Sequence, residues 1–219
     1  MTKTIIFVAG LAVASSASAD LTNAPISNLL DPSMYSINAQ EIGSPDLGGI
    51  AAVHYSNMGG AFATFGPQAG FSGFDDYQST AGADMTLTEM RFVGGVDTTG
   101  GVAFFQFFDA ASSFVSSFGI AFPQAGNFIW TITIGSAPTV AENGLIQMIG
   151  DDLGAFGPAT LSEFFLIDSA PTVGGSDINV GGNPGTHNQA FELTGDPIPA
   201  PASVALLGLG GLAAVRRRR

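Results

Sequence analysis

The sequence contains no cysteine, few charged residues and only two histidines. Without cysteine, a disulfide framework, a thiolate metal site and a cysteine nucleophile are all excluded. Charged residues make up 11% of the chain and apolar residues 46%, which is opposite to the composition of a disordered protein. A chain of 219 residues therefore predicts one folded domain accompanied by processing segments.

Basic residues are scarce and confined almost entirely to the two ends. They are Lys3, Arg91 and the C-terminal run of four arginines, whereas all 18 acidic residues lie between Asp20 and Asp196. Residues 20–198 therefore carry a net charge of −17. Nucleic-acid binding is excluded because it depends on lysine and arginine neutralising phosphates. The preferred interpretation of this charge is that it keeps the protein soluble, and the alternative is that it attracts divalent cations.

Sequence motifs for catalysis are also missing. His54 and His187 are far apart and show no zinc-binding spacing, and the chain has neither a Gly-x-Ser-x-Gly elbow nor a phosphate-binding Gly-rich loop. The sequence therefore predicts a protein that is not an enzyme. The least favoured alternative is a secreted glycoside hydrolase using two of four carboxylates, Glu142, Asp151, Asp152 and Glu163.

No apolar run is long enough to be a permanent membrane span, but a short one stands at each end. At the N-terminus Lys3 precedes an apolar run over 5–14 and a small-residue stretch that contains Ala17 and Ala19. This order is typical of a secretory signal peptide over residues 1–19, with signal peptidase cutting before Asp20.

At the C-terminus a Pro-x-Pro motif precedes an apolar stretch and a basic end. The apolar stretch over 202–215 would form a helix of about 21 Å, shorter than the roughly 30 Å hydrocarbon core. Such a helix can be held in the membrane transiently, with the arginines at the cytoplasmic interface. The motif and the basic end comprise Pro199, Ala200, Pro201, Arg216, Arg217, Arg218 and Arg219.

This tail resembles the PEP-CTERM sorting domain, in which a Pro-Glu-Pro motif precedes a short apolar helix and an arginine cluster. The resemblance covers about 22 residues, and Ala200 replaces the usual glutamate. It implies processing by an exosortase, a membrane transpeptidase-like enzyme, in a bacterium with an outer membrane. The resemblance indicates a destination at the cell surface, outer envelope or extracellular matrix, and no biochemical activity.

The body reads as short apolar runs separated by glycine, asparagine, aspartate, serine and proline. These runs are typical of strands, and their spacing predicts an all-β, jelly-roll-like sandwich of two sheets. Between Leu87 and Met90 the apolar residues change face, which predicts a β-bulge. The predicted organisation is a signal peptide (1–19), a leading segment (20–48), the sandwich (49–196) and the sorting signal (197–219). Strands are expected at 34–37, 50–55, 61–65, 84–93, 102–108, 114–122, 128–134, 145–149, 161–167 and 190–193.

Two pairs of adjacent aspartates are candidate calcium ligands, because loop carboxylates and carbonyls are the oxygens that calcium takes. They are Asp75 with Asp76 and Asp151 with Asp152. The alternative is that each pair forms a solvated turn bonded to local backbone N–H groups. For Arg91 a cross-strand ion pair is favoured over an anion site, and for Trp130 core packing over sugar stacking.

Three functions remain open on the sequence. The first is a non-enzymatic surface or matrix protein without a cofactor. Its expected partners are signal peptidase and an exosortase-like enzyme, which process it, and extracellular polysaccharide. The second is a carbohydrate- or calcium-binding module at the envelope. The third is the hydrolase.

Overall fold

A computed structural model describes the central part of the chain: residues 29–43, 52–58, 62–63, 72–151, 154–155, 157–158, 162–164, 166–167, 178–179 and 188–199. The predicted signal peptide lies outside the described residues, and so do the sorting signal from Ala200 onward, Asp152 and His187.

The regular secondary structure of the described residues is β-strand, apart from one 3-10 turn at Pro32–Met34. The nine longer strands form most of the two main sheets. They are β1 (Tyr35–Gln40), β2 (Val53–Ser56), β4 (Ser72–Gln78), β5 (Met85–Val96), β6 (Val102–Asp109), β7 (Phe114–Ala121), β8 (Gly126–Ile134), β10 (Asn143–Gly150) and β15 (Phe191–Pro197). The shorter ones are β3 (Phe62–Ala63), β9 (Thr139–Val140), β11 (Ser162–Phe164), β12 (Leu166–Ile167), β13 (Ile178–Asn179) and β14 (Asn188–Gln189).

These strands form two main antiparallel sheets and a small third one. The first sheet has the order β1-β8-β5-β15-β2, and β9 and β11 also pair with β5. The second sheet has the order β13-β4-β10-β6-β7, and the third has the order β14-β12-β3. The prediction of an all-β sandwich is confirmed.

Aromatic side chains from both main sheets fill the space between them. Phe92 on β5 lies 5.4 Å from Phe105 on β6, measured between ring centroids, and Trp130 on β8 lies 4.8 Å from Phe122. Strand β6 is buried along Val102 to Phe108, as its apolar sequence predicts for a central strand. Burying each phenylalanine contributes roughly 1.5–3 kcal/mol, so this core can hold the fold without disulfides.

The predicted bulge lies in β5. Gly195 of β15 pairs with Leu87 and Thr194 pairs with Glu89, so Thr88 is the extra residue. One additional residue shifts the alternation, and both Leu87 and Met90 can therefore face the core.

The chain crosses between the two sheets at one side of the sandwich. Leu29 forms a parallel bridge with Gly119 of β7, and a few residues later β1 pairs with β8 in the other sheet. The hydroxyl of Tyr35 accepts a hydrogen bond from the backbone N–H of Ala121 at 3.1 Å. The leading segment thus contributes a strand, and the sandwich starts before residue 49.

Strand β4 is the main difference from the sequence-based expectation. Its sequence carries Asp75 and Asp76 side by side, which indicated a turn. In the structure β4 lies between β13 and β10, where backbone pairing to two neighbours outweighs the local preference of aspartate for turns.

Candidate functional site

Three buried polar residues adjoin one another at the margin of the core: Asn57, Asp75 and Gln189, called the polar cluster below. Asn57 directly follows β2, Asp75 lies on β4 and Gln189 lies on β14. These three strands belong to three different sheets. All three side chains are buried, with at most 3% of each exposed.

A core aromatic residue lies two positions from each member of the polar cluster. Residues two apart in a strand share a face. Asp75 therefore shares a face with Tyr77 on β4, while Asn57 lies two residues after Tyr55 and Gln189 two residues before Phe191. These three aromatic residues belong to the main core. Their rings are in contact, since Tyr55 lies 6.4 Å from Tyr77 and 4.8 Å from Phe191 between centroids.

Hydrogen bonds between side chains and backbone groups hold the polar cluster together. Asp75 accepts a bond from the backbone N–H of Gln189 at 2.7 Å through Oδ2, and from that of Asp76 at 2.9 Å through Oδ1. Asn57 donates from Nδ2 to the carbonyl of Gln189 at 2.6 Å. Because a carbonyl only accepts, this bond fixes the amide orientation of Asn57 and leaves Oδ1 as its acceptor.

Two oxygens of the polar cluster have no hydrogen-bond partner among the described residues. They are Oδ1 of Asn57 and Oε1 of Gln189. An unsatisfied buried polar group costs about 1–3 kcal/mol. The neighbouring Asn188 also has an unpartnered buried amide, but strand alternation places it on the opposite face from Gln189. The polar cluster therefore contains two buried amide oxygens without a described hydrogen-bond partner and a carboxylate that accepts backbone N–H bonds.

The negative charge of Asp75 affects the pKa of Tyr55. Burial raises the pKa of the Tyr55 hydroxyl well above its ordinary value, and the charges of Asp75 and Asp76 raise it further. A hydrogen bond with Asn57 opposes this shift in pKa. The Tyr55 hydroxyl is therefore hydrogen-bonded to Asn57 and close enough to Asp75 for the carboxylate charge to affect its pKa.

We expect the fold to lose stability above about pH 10, the ordinary pKa of tyrosine. Burial raises the pKa of Tyr77 as well, aided by the charge of Asp84, so both phenols stay protonated in the folded state. The unfolded chain releases these protons above pH 10, and each tyrosine then lowers the free energy of unfolding by about 1.4 kcal/mol per pH unit. Urea unfolding at pH 9 and pH 11 measures the loss, and Tyr55→Phe should remove about half of it. Ionisation of Tyr55 and Tyr77 in the folded protein near pH 10, seen by tyrosinate absorbance, would contradict this expectation.

Asp75 and Asp76, one of the two aspartate pairs expected to bind calcium, do not point to a common site, and of the other pair Asp151 is described whereas Asp152 lies outside the described residues. Asp75 and Asp76 are adjacent in β4 and therefore point to opposite faces. Asp75 pairs with Ile146, five residues before Asp151, which corresponds to about 17 Å along the strand. Asp151 instead organises its own loop, where it accepts bonds from the backbone N–H groups of Ala155 and Gly157. Among the described residues no group of three or more histidine, cysteine, aspartate or glutamate side chains is placed to hold a metal ion.

Other candidate residues have structural partners. Arg91 forms a buried ion pair with Glu192 directly opposite on β15, with Nη1 3.3 Å from Oε1, which confirms the expected cross-strand partner. Trp130 is fully buried and donates to the carbonyl of Gly94 at 2.9 Å, so core packing is confirmed over sugar stacking. His54 Nε2 lies 2.8 Å from the carbonyl oxygen of Gly195.

The hydrolase candidates are not brought together where they are described. Glu142 precedes β10 and Asp151 follows it, so they lie about 30 Å apart at opposite ends of the strand. Glycosidic chemistry needs two carboxyl groups within about 5–9.5 Å. The side chains of Asp152 and Glu163 lie outside the described residues.

The fold defines the class of protein: a two-sheet antiparallel β-sandwich with a polar cluster at the edge of its core. No protein-family model and no curated protein matches the chain. Within the described ranges, no helix has the length and apolar character needed to cross a membrane. Sequence reasoning missed Asn57 and Gln189, because isolated amide residues form no motif and only their burial distinguishes them.

Proposed function

We propose that this is an exported protein of the cell surface or extracellular matrix, sorted by an exosortase-like enzyme, with a non-enzymatic acidic β-sandwich as its body. The observation that carries the proposal is the C-terminal order of Pro-x-Pro motif, short apolar stretch and four arginines. The proposal includes the signal peptide over 1–19, the short membrane helix before the arginines and a jelly-roll-like strand arrangement.

The position of the motif relative to the fold supports this proposal. The last strand, β15, ends at Pro197, and the backbone N–H of Ile198 still bonds to the carbonyl of Asp84 at 2.7 Å. Pro199, the first residue of the motif, is exposed. A processing enzyme could therefore reach the motif without unfolding the sandwich.

The composition of the body supports a role outside the inner membrane. Residues 20–198 contain no cysteine and carry a net charge of −17, so folding needs no oxidation step and the surface stays soluble. Extracellular polysaccharide is the proposed surrounding polymer, and signal peptidase and the exosortase-like enzyme are the proposed processing partners.

The termini of the protein recovered from its own cells test the proposal. After membrane, periplasm and medium are separated, mass spectrometry should find a species that starts at Asp20, ends between Pro199 and Ser203, and lies outside the inner membrane. Replacing all four of Arg216 to Arg219 by alanine should leave the tail uncut. Ala200→Glu, which introduces the residue usual in the sorting family, is the matched control and should be processed at least as completely as the natural chain.

Two results would overturn the proposal. A chain that keeps Arg216 to Arg219 in the inner membrane would make the tail a plain anchor. Equal processing of the natural chain and the four-alanine variant would show that cleavage does not depend on the arginine cluster.

A further inference from the structure

Strand β1 forms an open edge of the first sheet. Among the described residues it pairs with β8 alone, and the bond from the N–H of Gly135 to the carbonyl of Met34 continues that register by one pair. Backbone groups alternate in direction along an antiparallel strand, so the even-numbered residues of β1 bond to β8. The N–H and C=O groups of Tyr35, Ile37 and Ala39 therefore point away from β8, toward the open edge.

This edge lacks four features that usually prevent pairing with another chain: short length, charge, proline and a bulge. Strand β1 has six residues, none of them charged or proline, and its register with β8 is regular. The strands at the other ends of the two main sheets are short or bridged. Strand β2 has four residues and an irregular register, β13 has two residues, and Leu29 forms a bridge to β7 at Gly119. Strand β1 is therefore the edge best suited to the addition of a further strand.

Apolar side chains at this edge are only partly covered. Tyr35, Ile37 and Ala39 pack against the main core but are half-buried. Met34 precedes the strand and Ile42 follows it, and their side chains are 38% and 37% exposed. A strand added along β1 would therefore remove apolar surface from water in the core layer and at both ends of the strand.

We infer that two copies of this chain pair through β1, antiparallel, to form a two-fold symmetric dimer in which their first sheets become continuous. The new hydrogen bonds come from odd-numbered residues on both sides, so only registers that set odd residues opposite odd residues are allowed. One of these registers places Ile37 opposite Ala39 of the second copy, and Asn38 opposite its own counterpart. It also brings Met34 next to Ile42 of the second copy, so that the exposed apolar residues cover each other.

Symmetry and charge favour a second copy as the occupant of this edge. Both copies use the same strand, so pairing closes after two chains and leaves no open β1. The body carries a net charge of −17, but residues 32–40 contain no charged side chain, so the two copies meet where neither presents a charge. The flanking Glu41 falls opposite Tyr35 of the second copy and not opposite an acid. The inference does not depend on the sorting route.

Single cysteines test the pairing directly, since the natural chain has none. Asn38→Cys puts one thiol of each copy at the two-fold axis, where Cα atoms of a pair without mutual hydrogen bonds lie about 4.5 Å apart, within reach of a disulfide. Oxidation of the full chain with diamide should therefore give a covalent dimer on a non-reducing gel. Ser36→Cys is the matched control, because Ser36 is also exposed and on the same face, but its two copies would lie about 13 Å apart. This variant should stay monomeric on the gel.

Ala39→Pro tests the backbone contribution. It removes an N–H group that faces the open edge and none that bonds to β8, so the sandwich should stay folded. Sedimentation velocity of the natural full chain should show reversible dimers that increase with concentration. Ala39→Pro should weaken this dimerisation by about tenfold or more, because each dimer loses two hydrogen bonds.

Three results would overturn the inference. They are a natural chain that stays monomeric from micromolar to millimolar concentration, equal cross-linking of Asn38→Cys and Ser36→Cys, and dimers that Ala39→Pro does not weaken. Association through the apolar ends of the chain would give the second and third results, and a monomer would leave the edge to a strand of another protein. The two cysteine variants keep the test decisive if Ala39→Pro does not fold.

Discussion

Arg91→Met should destabilise the sandwich by about 3–5 kcal/mol, because it leaves the Glu192 carboxylate buried without its partner. Arg91 and Glu192 face each other across β5 and β15, and both side chains are less than one tenth exposed. Denaturant unfolding at neutral pH measures the loss.

The double variant Arg91→Met, Glu192→Leu is the control for this prediction. Removing both charges together removes the uncompensated carboxylate, so most of the lost stability should return. A double variant as unstable as Arg91→Met would contradict the ion-pair explanation. An Arg91→Met protein with unchanged stability would reopen the alternative that this arginine binds an anion.

Trp130→Ala should cost about 3–5 kcal/mol, as expected for removal of a large buried aromatic side chain. The indole packs edge-to-face against Phe122 and Phe128, whose ring centroids lie 4.8 and 5.1 Å away. Its N–H is bonded to the carbonyl of Gly94 in the neighbouring strand. Thermal or urea unfolding of the variant checks the size of the effect.

Trp130→Phe separates packing from hydrogen bonding. It keeps most of the apolar contact and leaves the Gly94 carbonyl without its donor, so we expect a smaller loss of about 1–3 kcal/mol. An alanine variant that remained as stable as the natural chain would be incompatible with burial of Trp130 in the core.

The strands with strong side-chain patterns could be predicted from the sequence. Alternating Phe128, Trp130, Ile132 and Ile134 predicted β8, and the change of face between Leu87 and Met90 predicted the bulge in β5. These predictions held because burial of one face imposes a period of two on a strand. Strand β4 was missed because adjacent aspartates follow local turn preferences, whereas pairing with β10 and β13 decides their conformation.

The candidate site was predicted only in part. Asp75 was singled out from its residue type, but Asp76, its partner in the expected calcium site, points to the opposite face of β4. Its actual neighbours, Asn57 and Gln189, are 18 and 114 residues away in sequence. No local pattern connects them, since three strands from three sheets bring them together.

The sequence by itself determined the all-β class and the acidic charge, because hydrophobic periodicity and composition are properties of the chain. It also supplied the proposal for the sorting route, since targeting signals are read as linear segments. Tertiary structure decided which polar residues are buried together and which charges pair, as for Asp75 with Gln189 and Arg91 with Glu192. These pairings depend on strand order and register, which are set by the packing of the whole core.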